Sequence, residues 1–230
     1  MRWLVMAVLL LGLASVAPHA AAAKKPPPTP FESVRMIIEF NSTAQDAGVQ
    51  LFLDAEAWKT VSVLDPKGHK IFEVSPKGKL KALGGSELFV ESDEPDIADV
   101  PLSDLFTQFP EGTYTFVGTS PDGEKLKGTT IFSHVIPDGP TIVSAATLDP
   151  AHATIAWNAV TTPAGVDIAG YEVVIEHDDF HFFDVKVPAT TTNVTVPPQL
   201  LQPTTQYGFE VLAIDASGNQ TITESSFATQ

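Results

Sequence analysis

From Leu201 to Asn219 the chain reads LQPTTQYGFEVLAIDASGN, and this stretch restricts the fold more than any other. Pro203 stands two residues after Leu201 and Tyr207 four after Pro203. Tyr207, Phe209, Val211 and Ala213 then recur at strict period two before a polar turn. That period puts the four side chains on one face of an extended strand, and an apolar strand face needs a second layer to cover it. The chain is therefore expected to be built from packed sheets.

The surrounding sequence repeats the signal. Beyond Ile136-Pro137-Asp138-Gly139-Pro140, where two prolines around a glycine suit neither helix nor ladder, seven strands are expected: Ile142 to Ala146, Ala153 to Trp157, Tyr171 to Glu176, Phe182 to Val187, Asn193 to Val196, Tyr207 to Ile214 and Thr221 to Phe227. Seven short strands in about 90 residues suit a β-sandwich. Ala153, Ile155 and Trp157 on one strand, Tyr171, Val173 and Ile175 on the next, and Leu201, Pro203, Tyr207, Phe209, Val211 and Ala213 on the sixth resemble a fibronectin type III domain. The resemblance covers Pro140 to Gln230. It implies Trp157 as the tryptophan between the sheets, with Tyr171 on the adjoining strand. It also implies a Tyr207 hydroxyl bonded back to backbone near Leu201, and it brings no integrin-binding tripeptide near Asp215 to Gln220.

Upstream, Arg35 to Phe40, Val49 to Leu53, Val61 with Val63, Lys70 to Val74 and Leu88 to Glu91 also read as strands, with an interruption expected at Asp54 to Ala57. Asp65-Pro66-Lys67-Gly68 and Ser75-Pro76-Lys77-Gly78 have the proline and glycine positions of type I turns. Leu102, Leu105, Phe106 and Phe109 lie at helical spacing between Pro101 and Pro110, which predicts one short helix plugging the end of a sandwich. Tyr114 and Phe116, then Leu126 to Val135, close the unit as a hairpin. This half resembles the immunoglobulin-like sandwich modules that precede fibronectin type III domains in exported bacterial proteins.

The compartment is read from the first 23 residues. Arg2, the apolar run Trp3 to Leu13 and the small residues ending at Ala23 have the form of a signal peptide, and no later segment has the roughly 18 apolar residues of a membrane helix. Without Arg2 the chain carries 12 basic and 28 acidic side chains, a formal charge of −16. Such a surface disfavours nucleic acid, whose binding rests on Lys and Arg contacts to phosphate. Cysteine is absent, which removes disulfides, thiolate metal sites and a cysteine nucleophile.

Candidate chemistry is sparse. No serine occupies a Gly-x-Ser-x-Gly elbow, and His69, His134 and His152 are scattered beside turns and strand ends. Glu176 to Asp184, EHDDFHFFD, is the densest stretch, but between two strands His177 and His181 would be spread by roughly 13 Å if extended. A turn is the better reading; if exposed, Phe180, Phe182 and Phe183 with His181 make an apolar patch for a partner or a sugar face, with Phe180, His181 and Phe183 as candidate ligand contacts, and otherwise Phe182 is core. Trp58, near Asp46, Asp54 and Glu56, is either core or a sugar platform. The acidic run Glu91, Asp93, Glu94, Asp96 and Asp99 lacks calcium-loop spacing and reads as solubilising charge.

The expectation is an all-β chain of two antiparallel β-sandwiches in tandem: signal peptide 1–23, proline-rich leader 24–31, immunoglobulin-like sandwich 32–137 with one short helix, and fibronectin type III domain 138–230. Its expected role is that of a non-catalytic binding or spacer protein of the periplasm or exterior, without cofactor or membrane span. The expected partner is another protein or an envelope or extracellular polymer. A carbohydrate- or calcium-dependent ligand-binding module is the alternative. An enzyme would require paired carboxylates such as Asp54 and Glu56.

Overall fold

Alternation along the sequence becomes pairing in space. The structure, a computed structural model, describes residues 26–178 and 180–230. The expected signal peptide lies outside those residues. The N-terminal half contains β1 (Thr29–Pro30), β2 (Ser33–Asn41), β3 (Asp46–Trp58), β4 (Thr60–Leu64), β5 (Lys70–Val74), β6 (Gly85–Glu91), α1 (Leu102–Gln108), β7 (Gly112–Thr119) and β8 (Lys125–Phe132). Strands β1-β8-β7-β4-β5 form one sheet, and β2-β3-β6 lie in the other. Met36, Ile38, Leu51, Leu53, Trp58, Val61, Val63, Tyr114, Phe116 and Phe132 fill the space between them. Leu105, Phe106 and Phe109 pack against that core from α1 and its end.

Two elements depart from expectation. Thr29 and Pro30, placed in the leader by their neighbours, pair in parallel with Leu126 and Lys127, because an edge position needs no donor from proline. Strand β3 runs straight through Asp54 to Ala57, where an interruption was expected, and absorbs the mismatch as a register shift against β6 between Asp54 and Trp58.

The C-terminal half contains β9 (Thr147–Leu148), β10 (Thr154–Ala156), β11 (Ile168–His177), β12 (Phe180–Pro188), β13 (Asn193–Thr195), β14 (Gln206–Asp215) and β15 (Gln220–Thr229). The pair β10-β13 faces β12-β11-β14-β15 across a core of Ile155, Trp157, Tyr171, Val173, Ile175, Tyr207, Phe209, Val211 and Phe227. Ile142 to Ala146 is not a continuous strand. Ile142 makes one bridge to Trp157, and the first pairing of this half falls at Thr147 and Leu148 on β15.

The two sandwiches share a sheet. Gln220, Thr221 and Ile222 of β15 pair in parallel with Glu39, Phe40 and Asn41 of β2, so one eight-stranded sheet runs β12-β11-β14-β15-β2-β3-β6, with β9 beside β15. Side chains lock this seam. The buried Asn219 Oδ1 accepts from Ile38 N at 2.8 Å, and its Nδ2 donates to Ser133 O at 2.9 Å and Val135 O at 2.7 Å. Thr221 Oγ1 donates to Pro137 O, and Ser42 Oγ to Ile222 O at 2.7 Å. The connecting segment is thus strapped to the joint. A side chain at Gly139 would collide with Ser42 Oγ and Thr223 Oγ1, so only glycine fits this crossing.

Candidate functional site

The outer face of the shared sheet bears a groove built from both sandwiches. On β2, Arg35, Ile37 and Glu39 alternate with the core residues Met36 and Ile38 and point away from the first core. Phe52 stands opposite Arg35 across β2 and β3, and the Arg35 guanidinium carbon lies 4.7 Å from the Phe52 ring centre, a cation–π contact. From β6 comes Phe89, 58% exposed. The second sandwich contributes Glu172, Lys186 and Gln220, and with Ile37 and Gln50 these residues enclose about 200 Å³. Lys186 Nζ meets Glu172 Oε2 at 3.1 Å. Ile37, Leu212 and Ile222 are buried on these outer faces and belong to neither sandwich core.

One wall is acidic. Glu39, Glu91 and Glu94 offer oxygens within 4.8 Å of one another. Glu39 accepts from the Gln220 amide across the seam, and Glu91 from Gln50 Nε2 at 2.8 Å. Glu94 can lie there because Gly48, opposite Glu39, has no side chain; a Cβ would sit 2.8 Å from Glu94 Cγ. Burial, and then the charges of Glu39, Glu91, Asp46 and Asp93, push the Glu94 carboxyl up to about 7. Burial also raises Glu39, against the pull of the Gln220 bond. Across the seam Glu210 is raised by burial and by Glu224. The aromatic and cationic groove is therefore bordered by an acidic cluster in which Glu94 titrates near neutrality.

Sequence reasoning grouped Glu91 and Glu94 as solubilising charge and missed Glu39, which lies on another strand. The remaining site candidates fall elsewhere. Trp58 is buried in the first core with Gly85 against its ring, so it offers no face to a sugar, and its place among ligand candidates is corrected. Phe180 is 69% exposed, but Phe182 lies edge-on to Tyr207 at 5.6 Å and Phe183 packs on the second core, which corrects Phe183 as a ligand contact. The cause is a bulge: Ile175 pairs with Phe183 and Glu176 with His181, leaving Phe182 as the extra residue. His181 Nε2 lies 3.2 Å from Glu176, whereas His177 Nδ1 contacts Gln206 O, so the two histidines serve different neighbours. His69 and His152 close turns on Asp65 and Asp149, and His134 stacks on Phe106 at 4.1 Å. Asp54 and Glu56 lie two apart on β3.

Around the second core, Trp157 and Tyr171 rings are 5.3 Å apart, and Tyr171 Oη accepts from Val160 N at 2.8 Å. Leu201 is buried, Pro203 begins the turn before β14, and Tyr207 Oη accepts from Gln202 N at 2.7 Å. The C-terminal sandwich is a fibronectin type III domain. The match to that family spans residues 138–229. No curated protein matches the chain. Among solved structures, the FN1–FN3 domains of chicken CNTN1 align at 14% identity over 89% of this chain and 65% of that one, with a TM-score of 0.41. A two-domain fibronectin type III segment of chicken tenascin aligns at 14% identity over 86% of this chain and 99% of that one, with a TM-score of 0.33. The spore cortex lytic enzyme SleM of Clostridium perfringens aligns at 16% identity over 48% and 34%, with a TM-score of 0.32. This chain spans just under two thirds of the CNTN1 fragment. The immunoglobulin-like resemblance of the first half has no counterpart among these matches. Among the described residues no helix is long and apolar enough to cross a membrane.

Proposed function

We propose that this chain is a non-catalytic exported protein that binds another protein through the groove at its seam, the fibronectin domain acting as one wall of the site. The observation that carries this reading is the parallel pairing of β2 with β15, which fixes the two walls in one orientation. A composite groove with fixed walls needs little ordering on binding, and the exposed Phe89 together with the Arg35–Phe52 contact supplies aromatic and arginine side chains of the kinds enriched at protein interfaces. Fibronectin type III domains mediate protein interaction or act as spacers, and the family is generally non-catalytic. Export rests on the N-terminal sequence. The carbohydrate alternative loses its tryptophan platform, because Trp58 is core.

The test is site-directed. A photo-crosslinking residue at position 89 should give a discrete adduct in envelope extract, abolished by Arg35→Glu. The same residue at position 131, exposed on the other sheet of the first sandwich, should give none. Identical adducts from both positions, or none from position 89, would refute the groove as the binding site.

A further inference from the structure

The first sandwich carries a second surface whose chemistry opposes that of the groove. Between Lys59 and Gly85 the chain holds six lysines and two acids, Asp65 and Glu73, in a protein of net charge −15. Lys70 is taken by Glu73, but among the described residues Lys59, Lys77, Lys79 and Lys81 have no ion pair. Lys59, Lys77 and Lys81 line one cleft of about 440 Å³ with Thr60, Ser75, Pro76 and Gly78, and no carboxylate lines it. Two leucines stand out in the same loop: Leu80 is 59% exposed and Leu83 74%. The loop is held in this form. Leu83 N and Gly84 N both donate to Leu80 O, and Gly84 has φ +76° with Trp58 O where a side chain would be. Gly85 then packs on the buried Trp58 ring. The leucines are thus displayed by a closed turn anchored to the core.

The loop joins β5 to β6, each an edge strand of its sheet, and β6 is the end of the shared sheet opposite the fibronectin domain. From Asp138 to Gln230 that domain has 11 acids and only Lys186 on the basic side. Basic charge is therefore concentrated in the first sandwich, with a lysine-rich loop at its outer edge.

We propose that the loop of residues 75–85 docks on an anionic lipid surface, its lysines against the headgroups and Leu80 and Leu83 in the interface. Charge complementarity selects an anionic partner. The leucines select lipid over a soluble polyanion, which would satisfy the lysines and leave both apolar side chains in water. This contact shares no lining residue with the groove.

The test is flotation of the exported chain, lacking residues 1–23, because the apolar run Trp3 to Leu13 would bind vesicles by itself. Every strand described lies within the part retained. The protein should float with vesicles of phosphatidylglycerol and phosphatidylcholine and stay behind with phosphatidylcholine alone. At about fivefold per lysine, K77Q/K79Q/K81Q should weaken binding roughly a hundredfold. L80S/L83S should weaken it by about tenfold or more. Both variants alter exposed side chains, so melting temperature should match the parent. Failure to float with anionic vesicles, or equal flotation with neutral ones, would overturn the proposal. So would L80S/L83S binding like the parent. With retention on heparin as well, that outcome would assign the lysines to a polyanion.

Discussion

At the residue scale, one hydroxyl and one carboxyl carry the sharpest expectations. Tyr207→Phe removes the acceptor for Gln202 N, and the loss of a half-buried hydrogen bond should lower stability by about 1–2 kcal/mol in urea unfolding. An unchanged midpoint would show that the corner holds nothing. Glu94 sets a pH dependence with a definite sign. Its carboxyl is raised from 4.5 when unfolded to about 7 when folded, so between those values the folded chain binds more protons. Stability should therefore fall as pH rises from 4.5 to 7 and change little on this account outside that window. After allowance for solvent at a partly exposed group, the effect is about 1 kcal/mol. Glu94→Gln should flatten the thermal unfolding profile across this window. Parallel profiles for the two proteins would rule Glu94 out as the source.

Residue-scale features were legible in the sequence where partner and residue are neighbours along the chain. Tyr207 finds its donor five residues back, so the spacing from Leu201 and Pro203 already carried the geometry. The same spacing occurs once more, at Pro110 and Tyr114, where Tyr114 Oη donates to Pro110 O at 3.1 Å. That repeat was readable, but its bond runs the other way, with Tyr114 donating where Tyr207 accepts. Glu39 was not readable as a member of the cluster with Glu91 and Glu94, because it reaches them from another strand.

At the scale of elements, β15 matters most. Asn219, just before it, fits the sequon pattern with Thr221, yet it is 1% exposed and its side chain is committed to Ile38, Ser133 and Val135. It is a fastener and offers no place for a glycan. Asn219→Ala would strand one buried donor and two carbonyls, which should cost about 3 kcal/mol. Amide exchange should quicken first at Ile38, while Tyr171 to Ile175 on β11, two strands from β15 in the same sheet, keeps its protection. Uniform quickening throughout would mean that Asn219 supports the fold and not the joint. The strands themselves were mostly visible from period two. The pairing of β2 with β15 was not, since its registers join residues 181 positions apart and nothing in either strand names the other.

For the whole molecule, the shared sheet makes two sandwiches into one body. Linked through a buried asparagine and a parallel ladder, they should unfold in a single calorimetric transition, and Asn219→Ala should split it into two. Two transitions in the parent would mean that the joint carries little coupling. Small-angle scattering of the parent should likewise fit one fixed arrangement. The two-sandwich architecture was legible because each core is made by segments close in sequence. The joint and the groove arise only when distant segments meet.

The ladder between β2 and β15 has one more effect. Each strand would otherwise end its sheet with a row of unpaired amides and carbonyls, the template on which chains stick to one another. By pairing, the sandwiches cap each other, and each acts as the other's guard against self-association. Severed at the connecting segment, the halves should be least soluble where they are now most firmly joined, and mixing them should restore what neither keeps alone.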